Sequence, residues 1–287
     1  MLSSDSLTLL KKRIMVDPEK QGTIVHPTTE LDKTISTLRP NMVGKSSPAL
    51  QEVHIFLAPA WTEAKDNLVD EEMVARYNMV VDEFNAVMKT PKVMKNPLLA
   101  LNFREVGYVY VMQSSLYVLS DNKEEVIKTT HQLADMFTTA GFTVIREKVE
   151  ASVYGINGIP QTAEEIANYP KTYFEFHIRV QHETETRDLI PLSGKELELL
   201  EQLSVEFTDL FGTPVPTSYN KATHPDGGYQ RYLNVRFRNC GAPEAIERVN
   251  QIRDHINRET SMRVAKIISE YVWYDSNVGL DKGWIDF

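Results

Sequence analysis

Cysteine is nearly absent: Cys240 is the one thiol in 287 residues. A lone thiol forms no internal disulfide and no cysteine-built zinc site, so a reducing compartment is expected. No apolar run reaches the roughly 20 residues that a bilayer-spanning helix needs. The segment from Met1 to Lys12 lacks the apolar centre of a signal peptide. A cytoplasmic location with no membrane partner follows as the expectation. Basic residues are in deficit, with 31 Lys and Arg against 40 Asp and Glu and a net charge of −9. General nucleic-acid affinity depends on cations that displace counterions from phosphates, so that class is not expected. A local basic patch stays compatible, because net charge says nothing about distribution. There is no Walker loop, no Gly-x-Gly-x-x-Gly, no His-Glu-x-x-His and no Gly-x-Ser-x-Gly. No cofactor is implied, and whether the chain is an enzyme stays open.

What is present reads as a globular α+β protein. Apolar residues make up 42% and charged residues 25%, a balance that can bury a core and argues against disorder. The length favours two domains. Residues 1–50, with Pro18, Pro27, Pro40 and Pro48, are weakly periodic and read as an irregular arm. Gln51–Ala58 alternates like a strand with Val53, Ile55 and Leu57 on one face. Leu68–Thr90 carries Met73, Tyr77, Val80, Val81, Phe84 and Met88 at helical spacing, and Pro91 ends it. Strands near Leu98–Phe103 and Tyr108–Leu119 follow. A helix from Asp121, with Asp121 as cap and Glu124 at the capping-box position, leads to a strand over Phe142–Glu150.

The order β-α-β-β-α-β then recurs. Thr172–Val180 is a strand, and Ser193–Gly194–Lys195–Glu196 reads as a capping box before a helix that Gly212 stops. Strands near Pro214–Asn220 and Tyr229–Asn239, a helix with Pro243 in its first turn, and a strand over Met262–Tyr274 complete it. The expected architecture is two tandem ferredoxin-like (βαββαβ) lobes, an internal duplication: arm 1–50, first lobe 51–152, linker 153–171, and second lobe with tail 172–287. Sliding the halves by about 120 residues sets His54 near His177, Gln132 near Gln251, Arg146 on Lys266, Glu150 on Glu270 and Tyr154 on Tyr274.

Strand alternation selects a candidate site. Phe174, Phe176, Ile178 and Val180 go to the core, so Glu175, His177 and Arg179 face the other way. Leu233, Val235 and Phe237 go inward on the neighbouring strand, which turns Asn234, Arg236 and Arg238 to the same side, with Lys266 joining from the last strand. Guanidinium forks match phosphate oxygens, and a histidine moves protons near neutral pH. These residues are expected to bind a phosphate-bearing ligand, a nucleotide or RNA end, with His177, His54 and Glu175 in catalytic roles and phosphoester chemistry open to them. Arg179, Asn234, Arg236, Arg238 and Lys266 would hold the ligand.

Paired lobes with His54–Ile55–Phe56–Leu57 and His177–Ile178–Arg179–Val180 on corresponding strands resemble the two-histidine phosphoesterases. The resemblance covers two short strands and implies two imidazoles meeting across a cleft. It lacks the Thr or Ser that the family carries two residues after each histidine. The alternative is a non-enzymatic interaction module whose sheet faces pack on each other or on a partner, in which Glu175, His177 and Arg236 are buried and internally paired. A homo-oligomer is compatible with either. His224 and Asp226 mark a turn-rich excursion within Ser218–Gln230. Asp275, Asn277 and Asp281 sit around Gly279 at oxygen-ligand spacing, more simply read as side-chain turns, while Trp284, Ile285 and Phe287 are expected to tuck the tail in.

Overall fold

The computed structural model describes residues 49–62, 71–87, 93–103, 107–156, 158–223 and 229–281. All but the last two residues of the expected arm lie outside these, as do His224, Asp226, Trp284, Ile285 and Phe287. The first half runs β1 (Leu50–Thr62), α1 (Glu71–Val87), β2 (Val93–Phe103), β3 (Gly107–Leu119), α2 (Lys123–Thr139) and β4 (Thr143–Ser152). A short α3 (Ala163–Ala167) lies in the connector. The second half runs β5 (Tyr173–Glu183), a two-residue β6 (Leu189–Ile190), α4 (Lys195–Phe211), β7 (Thr217–Thr223), β8 (Tyr229–Phe237), α5 (Ala242–Glu259) and β9 (Met262–Asp275). A 3-10 turn, Val278–Asp281, follows. Among the described residues no helix is long and apolar enough to cross a membrane.

The architecture is mixed α+β around one antiparallel sheet, ordered β2-β3-β1-β4-β9-β5-β8-β7. Each half therefore sets its last, first, third and second strands side by side. The halves join where β4 pairs with β9, with Val149 opposite Tyr274 and Ser152 opposite Glu270. At the far ends β2 approaches β7. The sheet curls, so the face away from the helices becomes an interior.

Period-two alternation builds the two apolar layers. Val53, Ile55 and Leu57 of β1 pack against Tyr77, Val81 and Phe84 of α1 and Val126, Leu133 and Phe137 of α2. Phe174, Phe176, Ile178 and Val180 of β5 pack against Leu200, Leu203 and Phe207 of α4 and Val249, Ile252 and Ile256 of α5. Each such fully buried side chain is worth roughly 1.5–3 kcal/mol, which makes these layers the main source of stability. Trp273 of β9 touches both clusters.

Two caps differ from the sequence expectation. Asn122, not Asp121, caps α2, accepting from the Glu124 and Glu125 amides. Asp121 is drawn away because its carboxylate accepts from the Ala49 amide at 2.8 Å. At α4 the cap is Gly194 with no side-chain bond. Glu196 bonds His182 at 2.6 Å and Ser261 at 2.9 Å instead. Gly212 does close α4 in the left-handed conformation, with φ 61°.

Candidate functional site

The polar side chains of β5 meet partners directly across the ladder. Glu175 stands opposite Arg236 of β8 and Glu270 of β9, His177 opposite Asn234, and Arg179 opposite Tyr232 and Lys266. On an open sheet this face would meet water. Because the sheet curls, Glu175 is 0% exposed. Its Oε1 accepts from Arg236 Nε at 2.9 Å and Nη2 at 2.5 Å, and its Oε2 accepts from Lys148 Nζ of β4 at 2.8 Å. His177 Nδ1 lies 2.6 Å from Asn234 Oδ1, and its Nε2 is 3.6 Å from both Glu175 and Glu270. Asn234 donates onward to Pro216 O and Ser218 Oγ.

The first half repeats this arrangement. His54 Nε2 lies 2.7 Å from Glu150 Oε1 of β4 and 3.5 Å from Glu52 Oε1, two residues back on β1. Its Nδ1 is 3.0 Å from Ser115 Oγ and touches the Gln113 side-chain amide. Tyr117 OH donates to Glu52 Oε1 at 2.8 Å. Glu52 and His54 are opposite Tyr117 and Ser115 in register, as Glu175 and His177 are opposite Arg236 and Asn234. Lys148 connects the two sets, 2.5 Å from Glu150 Oε2 and 2.8 Å from Glu175 Oε2. The imidazoles thus belong to one continuous chain: His54, Glu150, Lys148, Glu175, His177. Beside it, Arg146 bonds Asp275 and the Tyr173 hydroxyl, and its guanidinium lies 5.2 Å from the Phe56 ring.

Burial decides the charge states. It opposes ionisation of Glu175, but the Arg236 guanidinium and Lys148 ammonium more than offset this and hold the carboxyl well below its usual range. Burial opposes Glu150 likewise, yet Lys148 and His54 bring it down to about 2. Lys148 is buried too, and Glu150 and Glu175 hold it well above an ordinary lysine. Glu270 goes the other way: burial, then the Glu150 and Glu52 carboxylates, push it well up. Burial also raises Glu52. Two carboxylates therefore balance the two bridging cations, and two further carboxyls are biased towards the neutral acid.

Of the residues selected from sequence, Glu175, His177, Asn234 and Arg236 share this interior, and His54 joins them through Glu150 and Lys148. Arg179 is half-buried, with an Nε that has no hydrogen-bond partner, and Lys266 opposite it is exposed. Arg238 lies past the end of β8 and leaves the group, donating to Pro170 O in the connector. Asp275 does not form a calcium loop, because Arg146 and Tyr173 take its carboxylate. It does form the expected side-chain turn, accepting from the Asn277 amide at 3.0 Å. Glu52, Tyr117, Lys148 and Glu150 were not among the selected site residues. Two signals point to them. Arg146, Lys148 and Glu150 alternate along β4 with the core residues Val149 and Ala151, and Glu-x-His occurs at Glu52–His54 and again at Glu175–His177.

No family model and no curated protein matches the chain. Among solved structures it is similar to a heme-binding protein from Thermus thermophilus, at 10% identity over 82% of this chain and 95% of that one, with a TM-score of 0.27. It is also similar to a chlorite dismutase from Candidatus Nitrospira defluvii in complex with imidazole, at 11% identity over 86% and 97%, with a TM-score of 0.26. Likenesses this faint assign neither a family nor an activity. The expected phosphate-bearing ligand, and with it the resemblance to two-histidine phosphoesterases, is overturned. The guanidinium meant for phosphate oxygens is engaged by Glu175, and an ion-pair chain stands where the two imidazoles were to meet across a cleft.

Proposed function

We propose that the chain is a non-enzymatic interaction module, with sheet faces packed on each other across the buried bridge and an outer surface that meets a second copy of the same chain. The observation that supports it is the pairing of Glu175, fully buried between Arg236 and Lys148. A charge committed in this way fixes the two halves relative to each other rather than waiting for a ligand. The self-association surface is drawn from Tyr154, 74% exposed, and Tyr169, 55% exposed, both in the connector between the halves. Tyrosine is enriched at protein interfaces, where its ring buries area and its hydroxyl stays hydrated. Light scattering on the full chain tests the reading: the wild type is expected as a dimer or higher species, and Tyr154→Ser with Tyr169→Ser as a monomer. A monomeric wild type, or an unchanged copy number in the double variant, overturns it.

The halves are further read as copies of one βαββαβ unit. The matching strand order and the matched sets Glu52, His54, Tyr117, Ser115 and Glu175, His177, Arg236, Asn234 support that descent. Cys240 is buried, its thiol pushed up to about 11 by burial, which leaves it unreactive.

A further inference from the structure

The interior bridge leaves one group of donors that ion pairing alone does not explain. Glu52, His54 and Glu150 each bring one ligand atom within 4.8 Å of the other two. Two carboxylates thus converge on one nitrogen, Nε2, of a single imidazole. We propose that Glu52, His54 and Glu150 bind one divalent transition-metal ion.

The distances fit the chemistry. Two ligands at about 2.0–2.1 Å from a tetrahedral ion stand about 3.4 Å apart. His54 Nε2 and Glu52 Oε1 are already 3.5 Å apart. His54 Nε2 and Glu150 Oε1, at 2.7 Å, are held by a proton that the ion would replace. That pair would need to open by about 0.7 Å, within the reach of side-chain rotation. One nitrogen and two carboxylate oxygens form a borderline set that suits Zn2+, Mn2+, Fe2+ or Co2+. Glu52 is the most exposed of the three, its side chain at 20% against 9% for His54 and 3% for Glu150.

Groups outside the three ligands hold each in place, as outer partners do around metal ligands. Tyr117 OH fixes Glu52. Ser115 Oγ lies 3.0 Å from His54 Nδ1, so once the ion takes Nε2 the ring proton has an acceptor at Nδ1. Glu150 Oε2, buried and without a well-aligned hydrogen bond, faces the Lys148 ammonium, leaving Oε1 toward His54. The corresponding set in the second half differs at two positions: Arg236 stands in the place of Tyr117 and delivers its cation to Glu175, and Asn234 stands in the place of Ser115. Among the described residues this is the one such cluster, so the expected stoichiometry is one ion per chain. The site requires no partner protein.

Cobalt titration of the chelator-treated full chain tests this, because a nitrogen–oxygen site gives Co2+ visible absorption bands. The expected result is saturation at one Co2+ per chain and displacement by Zn2+. Glu52→Gln should weaken binding at least tenfold. His54→Gln should remove the bands, and Glu52→Gln serves as the deciding variant if His54→Gln does not fold. His131 pairs with Glu147 at 2.7 Å on the outer surface, so His131→Gln should leave the titration unchanged. Absence of saturable absorption in folded wild type, an isotherm unaltered by Glu52→Gln, or loss of binding in His131→Gln overturns the assignment.

Discussion

Replacing Lys148 by methionine removes the cation at the centre of the interior chain while keeping most of its unbranched length. The Lys148 side chain is 6% exposed, and its carboxylate partners Glu150 and Glu175 are 3% and 1% exposed, so solvent does little to replace the lost interaction. Removing one member of a buried pair costs about 3–5 kcal/mol, because the remaining charge is left uncompensated. Two carboxylates lose Lys148 here, yet Glu150 keeps His54 and Glu175 keeps Arg236. The loss should therefore stay within that range rather than double. At about 2–4 °C per kcal/mol for a unit of this size, the melting temperature should fall by about 6–20 °C. Urea unfolding followed by circular dichroism gives the free energy directly. Adding Glu150→Gln to Lys148→Met should recover about 1–3 kcal/mol, since it removes the charge left without its ammonium. A loss below about 1 kcal/mol would place the bridge among solvated surface pairs and refute the account of the interior.

Glu270→Gln mimics the neutral acid that burial and the Glu150 and Glu52 carboxylates favour. A carboxyl with a raised folded pKa loses stability as pH rises above its unfolded value near 4.3, so the variant should match wild type near pH 4 and exceed it at pH 8. An advantage that is the same at both pH values would contradict the assignment. Glu175 and Glu150 have lowered values and contribute in the opposite sense: acid titration should remove their share as pH falls below about 4, and Glu150 should keep its charge down to about 2. Asp275→Asn should cost about 3–5 kcal/mol in denaturant melts, because it leaves the buried Arg146 guanidinium facing a neutral amide. At Gly241 an added Cβ would fall 2.0 Å from Gln161 O, a backbone atom. Gly241→Ala should force the connector off α5 and cost at least about 1–3 kcal/mol, and a neutral result would mean that the connector moves freely.

Much of the fold was legible along the chain. The alternation of Val53, Ile55 and Leu57 and of Phe174, Phe176, Ile178 and Val180 identified β1 and β5 and their buried faces. Helical spacing located α1, α2, α4 and α5, and Gly212 marked the end of α4. Caps were less secure: Asp121 and Ser193 have the right chemistry for their positions, but Ala49 drew one carboxylate away, and His182 and Ser261 engaged Glu196. Local preference for a cap is worth about 1 kcal/mol and yields to such partners.

The site was half legible. Alternation turned Glu175, His177, Asn234 and Arg236 to one side, and the structure keeps them together. What they do there was misread, because an outward face on one strand is water-facing only if the sheet stays open. The sequence by itself determined which residues prefer strand or helix, which side of each strand is apolar, and that a Glu-x-His pair occurs in each half. These depend on spacings of two to four residues. Tertiary structure decided that β4 pairs with β9, that the sheet curls, and that Lys148 reaches Glu175 on β5. Those outcomes depend on side chains far apart in the chain that meet only after folding, and burial then converts a cationic face into an internal ion-pair bridge.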